Sequence, residues 1–140
     1  MTTAERYHDI SCGHRVAGHE SKCQYLHGHN YRIHFVVAAN ELDNIGRVMD
    51  FSVIKSKLCM WLEDNWDHKF LMWEHDPMLI HMAQMKDSIV VTPFNPTAEN
   101  MAEYLVEEIG IEQLANTGCL LIECRVEETR KCLATYKRKI

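Results

Sequence analysis

From residue 29 to residue 39 the chain alternates. His29, Tyr31, Ile33, Phe35 and Val37 take the odd positions, and Asn30, Arg32 and His34 the even ones. Side chains two apart share a face of a strand, so this aromatic and β-branched run predicts a strand with one apolar face. Residues 7–14 read likewise, with His8, Ile10, Cys12 and His14 on one face and Asp9 and Ser11 on the other. Residues 15–26 read as a loop and 40–47 as a turn carrying Asp43, Asn44 and Gly46. The period then lengthens. Asp50 suits a helix N-cap, and Phe51, Ile54, Leu58 and Trp61/Leu62 step by three or four, predicting an amphipathic helix that ends near Trp66. Residues 67–95 have no clear period; they hold Asp76-Pro77, a short apolar piece at 89–91, and Pro93. Asn95-Pro96-Thr97 opens a second helix with Asn or Thr as cap. Its buried stripe is Ala98, Met101, Ala102, Leu105, Val106 and Ile109, with Gly110 as the stop. Residues 120–128 and 133–138 read as two more strands. The order ββααββ predicts an α+β domain: a four-stranded antiparallel sheet with two helices on one face.

Composition narrows the class. At 140 residues, 46% hydrophobic and 25% charged, the chain fits one globular domain spanning 1–140. The net charge of −5 argues against a nucleic-acid footprint. No apolar run approaches the roughly 20 residues of a membrane span, and Met1-Thr2-Thr3-Ala4-Glu5-Arg6 lacks the features of a signal peptide; both point to the cytoplasm. The six cysteines form no C-x-x-C pair and read as reduced thiols rather than a disulfide framework.

The same parity gathers chemistry. An extended His27-Gly28-His29 aims two imidazoles one way, and His14 lies on the matching face of the neighbouring strand. Glu128 shares parity with Leu120, Ile122, Cys124 and Val126, so all four polar groups stand at the ends of apolar strand faces. His34 points the other way. Hydrogen-bonded surface histidines are the bland alternative for a lone His-x-His. A third histidine and the nearby Cys23 favour a metal, and three neutral imidazoles with one position left open are the ligand set of catalytic Zn2+. Cys23 reads as a fourth ligand, a buried thiol, or a thiolate acting on substrate. Asp67-His68 reads either as a helix end or as a proton relay, the latter only if the helix has already stopped. The second sheet face, carrying Arg32, His34, Glu123, Arg125 and Glu127, is too polar for a second core. Either water covers it or it lines an oligomeric barrel, which would also satisfy the sheet edges.

These residues together resemble the 6-pyruvoyl-tetrahydropterin synthase superfamily, most nearly its bacterial 6-carboxy-tetrahydropterin synthase branch of the queuosine pathway. The likeness rests on Ile10-Ser11-Cys12-Gly13-His14-Arg15, on Cys23 to His29 as C-x-x-x-H-G-H followed by Asn30-Tyr31, and on Val48-Met49-Asp50-Phe51. It rests equally on Asp67-His68-Lys69, Asn95-Pro96-Thr97-Ala98-Glu99-Asn100 and Glu128-Thr129. The resemblance implies the tunnelling fold, a homo-oligomer (a trimer or dimer of trimers) with active sites between subunits, and zinc on His14, His27 and His29. It implies Cys23 as general base, Asp67 and His68 as a second proton-transfer pair, and Glu128 on the guanidine-like edge of a pterin. Thr97, at a helix N-terminus where anions are favoured, joins Glu128 as a substrate-binding candidate. The implied reaction is a zinc-dependent lyase step. It converts 7,8-dihydroneopterin triphosphate to 6-carboxy-5,6,7,8-tetrahydropterin, releasing triphosphate and acetaldehyde. Alternatives are the pyruvoyl-forming reaction without carbon–carbon cleavage, and a non-catalytic zinc module closed by Cys23. Arg15, Lys22, Lys69, Arg130 and Lys131 are candidates for the triphosphate. The segment 73–91 is longer than in compact members of the superfamily.

Overall fold

The computed structural model describes residues 1–139; Ile140, the last residue of the predicted domain, lies outside them. Strand β1 (Thr3–His14) pairs antiparallel with β2 (His27–Ala39) along its whole length, from Thr3↔Ala38 to His14↔His27. Strand β5 (Cys119–Thr129) lies on the far side of β2 with a bulge between Val36 and Val37, and β6 (Cys132–Lys137) forms a hairpin with it. β1 begins earlier than the expected residue 7 because Thr3, Ala4 and Glu5 each find a partner on β2.

The sheet has six strands and is mixed, not four and antiparallel as expected. β3 (Phe70–Trp73) and β4 (Ile89–Thr92) come from the stretch that lacked a period, and the order is β4-β3-β1-β2-β5-β6. Both run parallel to their neighbours, β3 to the end of β1 at Gly13↔Phe70 and His14↔Leu71, and β4 to β3. Parallel pairing needs a crossover, which the 3₁₀ turns at Leu79–Ser88 supply.

Helix α1 covers residues 51–65 and α2 residues 98–113, each with a π-type turn midway, at Lys55–Cys59 and Leu105–Ile109. Asp50 caps α1 by accepting from the Ser52 N–H at 2.8 Å. Thr97, not Asn95, caps α2 by accepting from the Asn100 N–H at 3.1 Å. Gly110 is not a stop: α2 continues past it, and the glycine lies where a Cβ would sit 2.8 Å from two Leu121 side-chain atoms of β5. It permits close approach of helix to sheet. Tyr31, Ile33, Phe35, Leu121 and Val126 of the sheet bury against Ile54, Leu58, Leu62, Met101 and Leu105 of the helices. One apolar sheet face therefore meets one apolar stripe per helix.

Candidate metal and catalytic site

Strand register builds the site. Pairing of His14 with His27 at the end of the β1–β2 ladder puts both on the helix-covered face, and His29 follows two residues on. One ligand atom from each of the three imidazoles lies within 4.8 Å of the others. Main-chain carbonyls set the ring states. His14 Nδ1 donates to Pro96 O at 2.6 Å and His27 Nδ1 to Tyr25 O at 2.8 Å. A carbonyl can only accept, so Nδ1 carries the proton and Nε2 keeps its lone pair in both rings, the tautomer a metal requires.

Electrostatics agree. Burial is the main force holding His14 below the ordinary imidazole range, aided by His27 and His29 and opposed by the Pro96 carbonyl and Glu128. Burial likewise lowers His29, with Glu128 opposing. Neutral rings are the ligand form. The Nε2 atoms of His14 and His29 are buried without hydrogen-bond partners, and so is the Tyr31 hydroxyl. Orphaned polar atoms in one place indicate something else that binds them, and a donor set of three neutral imidazoles fits zinc.

The remaining predicted residues divide in two. Glu128 reaches the triad, its Oε1 lying 3.4 Å from His14 Nε2 and 3.6 Å from His29 Nε2. Cys23 sits in a short turn, Lys22–Gln24, that Val16 N–H tethers by donating to Cys23 O at 2.9 Å. Its sulfur is not among the convergent donors. Cys12 is no competitor as a thiolate, because burial and then Asp67 push its thiol up to about 12. Thr97 adjoins Pro96, with its hydroxyl already accepting in the cap.

Asp67 and His68 lie beyond the end of α1. Asp67 Oδ1 accepts from the Ser11 N–H at 2.9 Å, and Oδ2 accepts from His68 Nδ1 at 2.8 Å. Partial burial works against its charge, but these bonds and the His68 ring hold the Asp67 carboxyl below its ordinary range. His68 adopts a left-handed backbone, φ 59°, and donates its N–H to Ser11 O at 2.7 Å. The pair lines a cavity of about 650 Å³ with Asp9, Ser11, Asn30, Arg32 and Arg130, on the polar sheet face. By strand parity the triad's side chains take the other face, although His68 and His29 both line a neighbouring cavity of about 440 Å³. Among the basic candidates, Arg15 is taken by the buried Asp76, and Lys69 Nζ donates to Asp87 O at 2.9 Å. Arg130 lines the cavity. Neither Tyr31 nor the Pro96 carbonyl was legible as part of the site. A buried phenol reads as core, and a main-chain acceptor leaves no mark on composition.

Residues 3–139 match the family described as 6-pyruvoyl tetrahydropterin synthase. The chain belongs to that family. It is 34% identical over 134 residues to the 6-carboxy-5,6,7,8-tetrahydropterin synthase of Rickettsia typhi, covering 94% of this chain and 97% of that one. Its namesake in Synechocystis is 32% identical over 118 residues, covering 79% of each. The fold is similar to that of Caenorhabditis elegans 6-pyruvoyl tetrahydropterin synthase, with a TM-score of 0.70, 28% identity, and coverage of 99% of this chain and 96% of that one. An uncharacterised Wolinella succinogenes protein, WS1659, superposes with a TM-score of 0.85 at 22% identity, over 99% of this chain and 98% of that one. Among the described residues no helix is long and apolar enough to cross a membrane.

Proposed function

We propose that the protein is a zinc-dependent 6-carboxy-5,6,7,8-tetrahydropterin synthase acting on 7,8-dihydroneopterin triphosphate, in queuosine precursor synthesis in the cytoplasm. The observation that carries this reading is the convergence of three imidazoles, two with the lone pair on Nε2 fixed by backbone carbonyls. The relatives named for that synthase supply the reaction class. His14, His27 and His29 would hold the zinc, whose Lewis acidity would lower the pKa of hydroxyls on the substrate side chain.

Each further step belongs to a side chain. Cys23 is the general base that takes a proton from a side-chain carbon of the substrate. His68, held by the Asp67 carboxylate so that Nε2 faces outward, carries the second proton. Glu128 receives the guanidine-like edge of the pterin. Triphosphate departs, and a water molecule then adds across the side-chain carbon–carbon bond, its oxygen completing the carboxyl group on the ring as the two outer carbons leave as acetaldehyde.

Asp67 and His68 open on the sheet face opposite the triad, where the relay can serve the triad of another copy of the chain. This supports a homo-oligomer, a trimer or dimer of trimers, with active sites between subunits. The pyruvoyl-forming reaction is the second reading, favoured by the family description and the C. elegans likeness. A non-catalytic zinc module closed by Cys23 gains no support from a sulfur outside the convergent set. Incubating the zinc-loaded protein with dihydroneopterin triphosphate decides among them. Acetaldehyde with a carboxypterin supports the proposal, a pyruvoylpterin without acetaldehyde supports the second reading, and no turnover refutes both.

A further inference from the structure

Glu128 is closer to the triad than a substrate anchor needs to be. Its Oε1 lies 3.4 Å from His14 Nε2 and 3.6 Å from His29 Nε2. Neither contact is a hydrogen bond, since both nitrogens lack partners. In the neutral His14 ring the one proton lies on Nδ1, donated to Pro96 O, and Nε2 has none to offer. The Nε2 lone pair and a carboxylate oxygen, both electron-rich, face each other where His14 is buried and Glu128 and His29 are half-buried. That juxtaposition is repulsive unless a cation lies between them. The separations also have a meaning of their own. Zinc binds histidine nitrogen at about 2.0–2.1 Å and carboxylate oxygen at about 2.0–2.2 Å, so tetrahedral neighbours stand about 3.3–3.5 Å apart. The two observed distances nearly match two edges of a coordination tetrahedron; Glu128 is not within the convergent set that includes His27, so it completes the third edge by a shift of its side chain toward that ring.

We propose that Glu128 is the fourth ligand of the resting metal centre, closing the tetrahedron that His14, His27 and His29 leave open, and that it gives up this position when substrate arrives. The first half stands on the approach of Glu128 to His14 and His29. The second half rests on the proposed function, in which the same carboxylate turns to the pterin. A carboxylate cap would keep water and small anions off the metal between turnovers, and the substrate's guanidine-like edge would draw it away.

Zinc affinity and the visible spectrum of the cobalt-substituted protein, both without substrate, test the assignment. Wild type is compared with Glu128→Ala and the near-isosteric Glu128→Gln, with far-ultraviolet circular dichroism of each apoprotein to verify folding. Glu128→Ala should weaken zinc about 10–100-fold in chelator competition and alter the cobalt d–d bands. Azide should then perturb those bands at concentrations at least about tenfold below those needed for wild type. Glu128→Gln should behave like Glu128→Ala. Unchanged zinc affinity would overturn the proposal. So would weakened affinity with an unchanged cobalt spectrum and unchanged azide response, which would make the carboxylate a distant counter-charge. Product formation by the wild-type enzyme is measured separately, so failure of the cap is distinguishable from failure of the pterin reaction.

Discussion

His68 sets a local conflict between stability and chemistry. Its backbone is left-handed at φ 59°, which costs a residue bearing a Cβ about 1–2 kcal/mol and a glycine almost nothing. The side chain is 81% exposed, so its removal uncovers little apolar surface. What it contributes to the fold is one hydrogen bond to Asp67 Oδ2 at 2.8 Å, worth about 0.5–1 kcal/mol at so open a site. The backbone bonds from His68 N to Ser11 O and from Gly13 N to Lys69 O do not depend on the side chain. His68→Gly should therefore leave unfolding free energy unchanged or raise it by up to about 1 kcal/mol. If the ring moves a proton in turnover, the same variant should lose about 10²–10⁴-fold in kcat. Urea denaturation of the metal-loaded protein gives the first quantity, and product formation from dihydroneopterin triphosphate the second. A stability loss above about 1 kcal/mol would refute the strain argument. Turnover within about tenfold of wild type would refute the relay.

Other outcomes follow from the same coordinates. Gly110→Ala should gain about 1 kcal/mol of helix propensity but lose about 1–3 kcal/mol to overpacking against Leu121. The net destabilisation should be up to about 2 kcal/mol, seen as a lower urea midpoint at constant slope. Cys23→Ala should keep its zinc by elemental analysis and lose at least about 100-fold in turnover; loss of the metal instead would make the sulfur a ligand. Asp67 has its carboxyl held below the ordinary range in the fold, so it contributes stability above the unfolded value of about 3.9, and this is lost as pH falls through the depressed one. Asp67→Asn should flatten the acid limb of the stability–pH curve below about pH 4, and an unchanged limb would contradict that account.

Much of the architecture was legible where one face of an element is buried. The alternation at 29–39 specifies β2 and the direction of its histidines, since a one-residue slip would turn Ile33, Phe35 and Val37 outward. The heptad-like steps of α1 and α2 are equally plain. β3 and β4 were not legible because strands of four residues, Phe70–Trp73 and Ile89–Thr92, are too short to show a period. Their pairing also spans a crossover whose 3₁₀ turns carry no amphipathic stripe. The β-branched run Ile89-Val90-Val91 was the available signal. Gly110 misled because glycine marks helix ends and close packing alike, and only the position of Leu121 distinguishes them. For the site, parity located the triad and Glu128, while the separation of Asp67 and His68 onto the other face depends on β3 docking beside β1.

The stretch from residue 67 to residue 96 leaves and rejoins the protein at nearly one spot. His68 and Lys69 hydrogen-bond to Ser11 and Gly13 as it departs. As it returns, the Asn95 amide clasps Ala17 by two bonds of 3.0 and 2.9 Å, and the Pro96 carbonyl accepts the hydrogen bond from His14 Nδ1. A detour pinned at both ends can be lengthened or trimmed in its middle without shifting either pin. Insertions are therefore best tolerated between Met78 and Lys86, past the buried Asp76 that holds Arg15 and before the Asp87 carbonyl that holds Lys69, where new surface can be added over an unmoved centre.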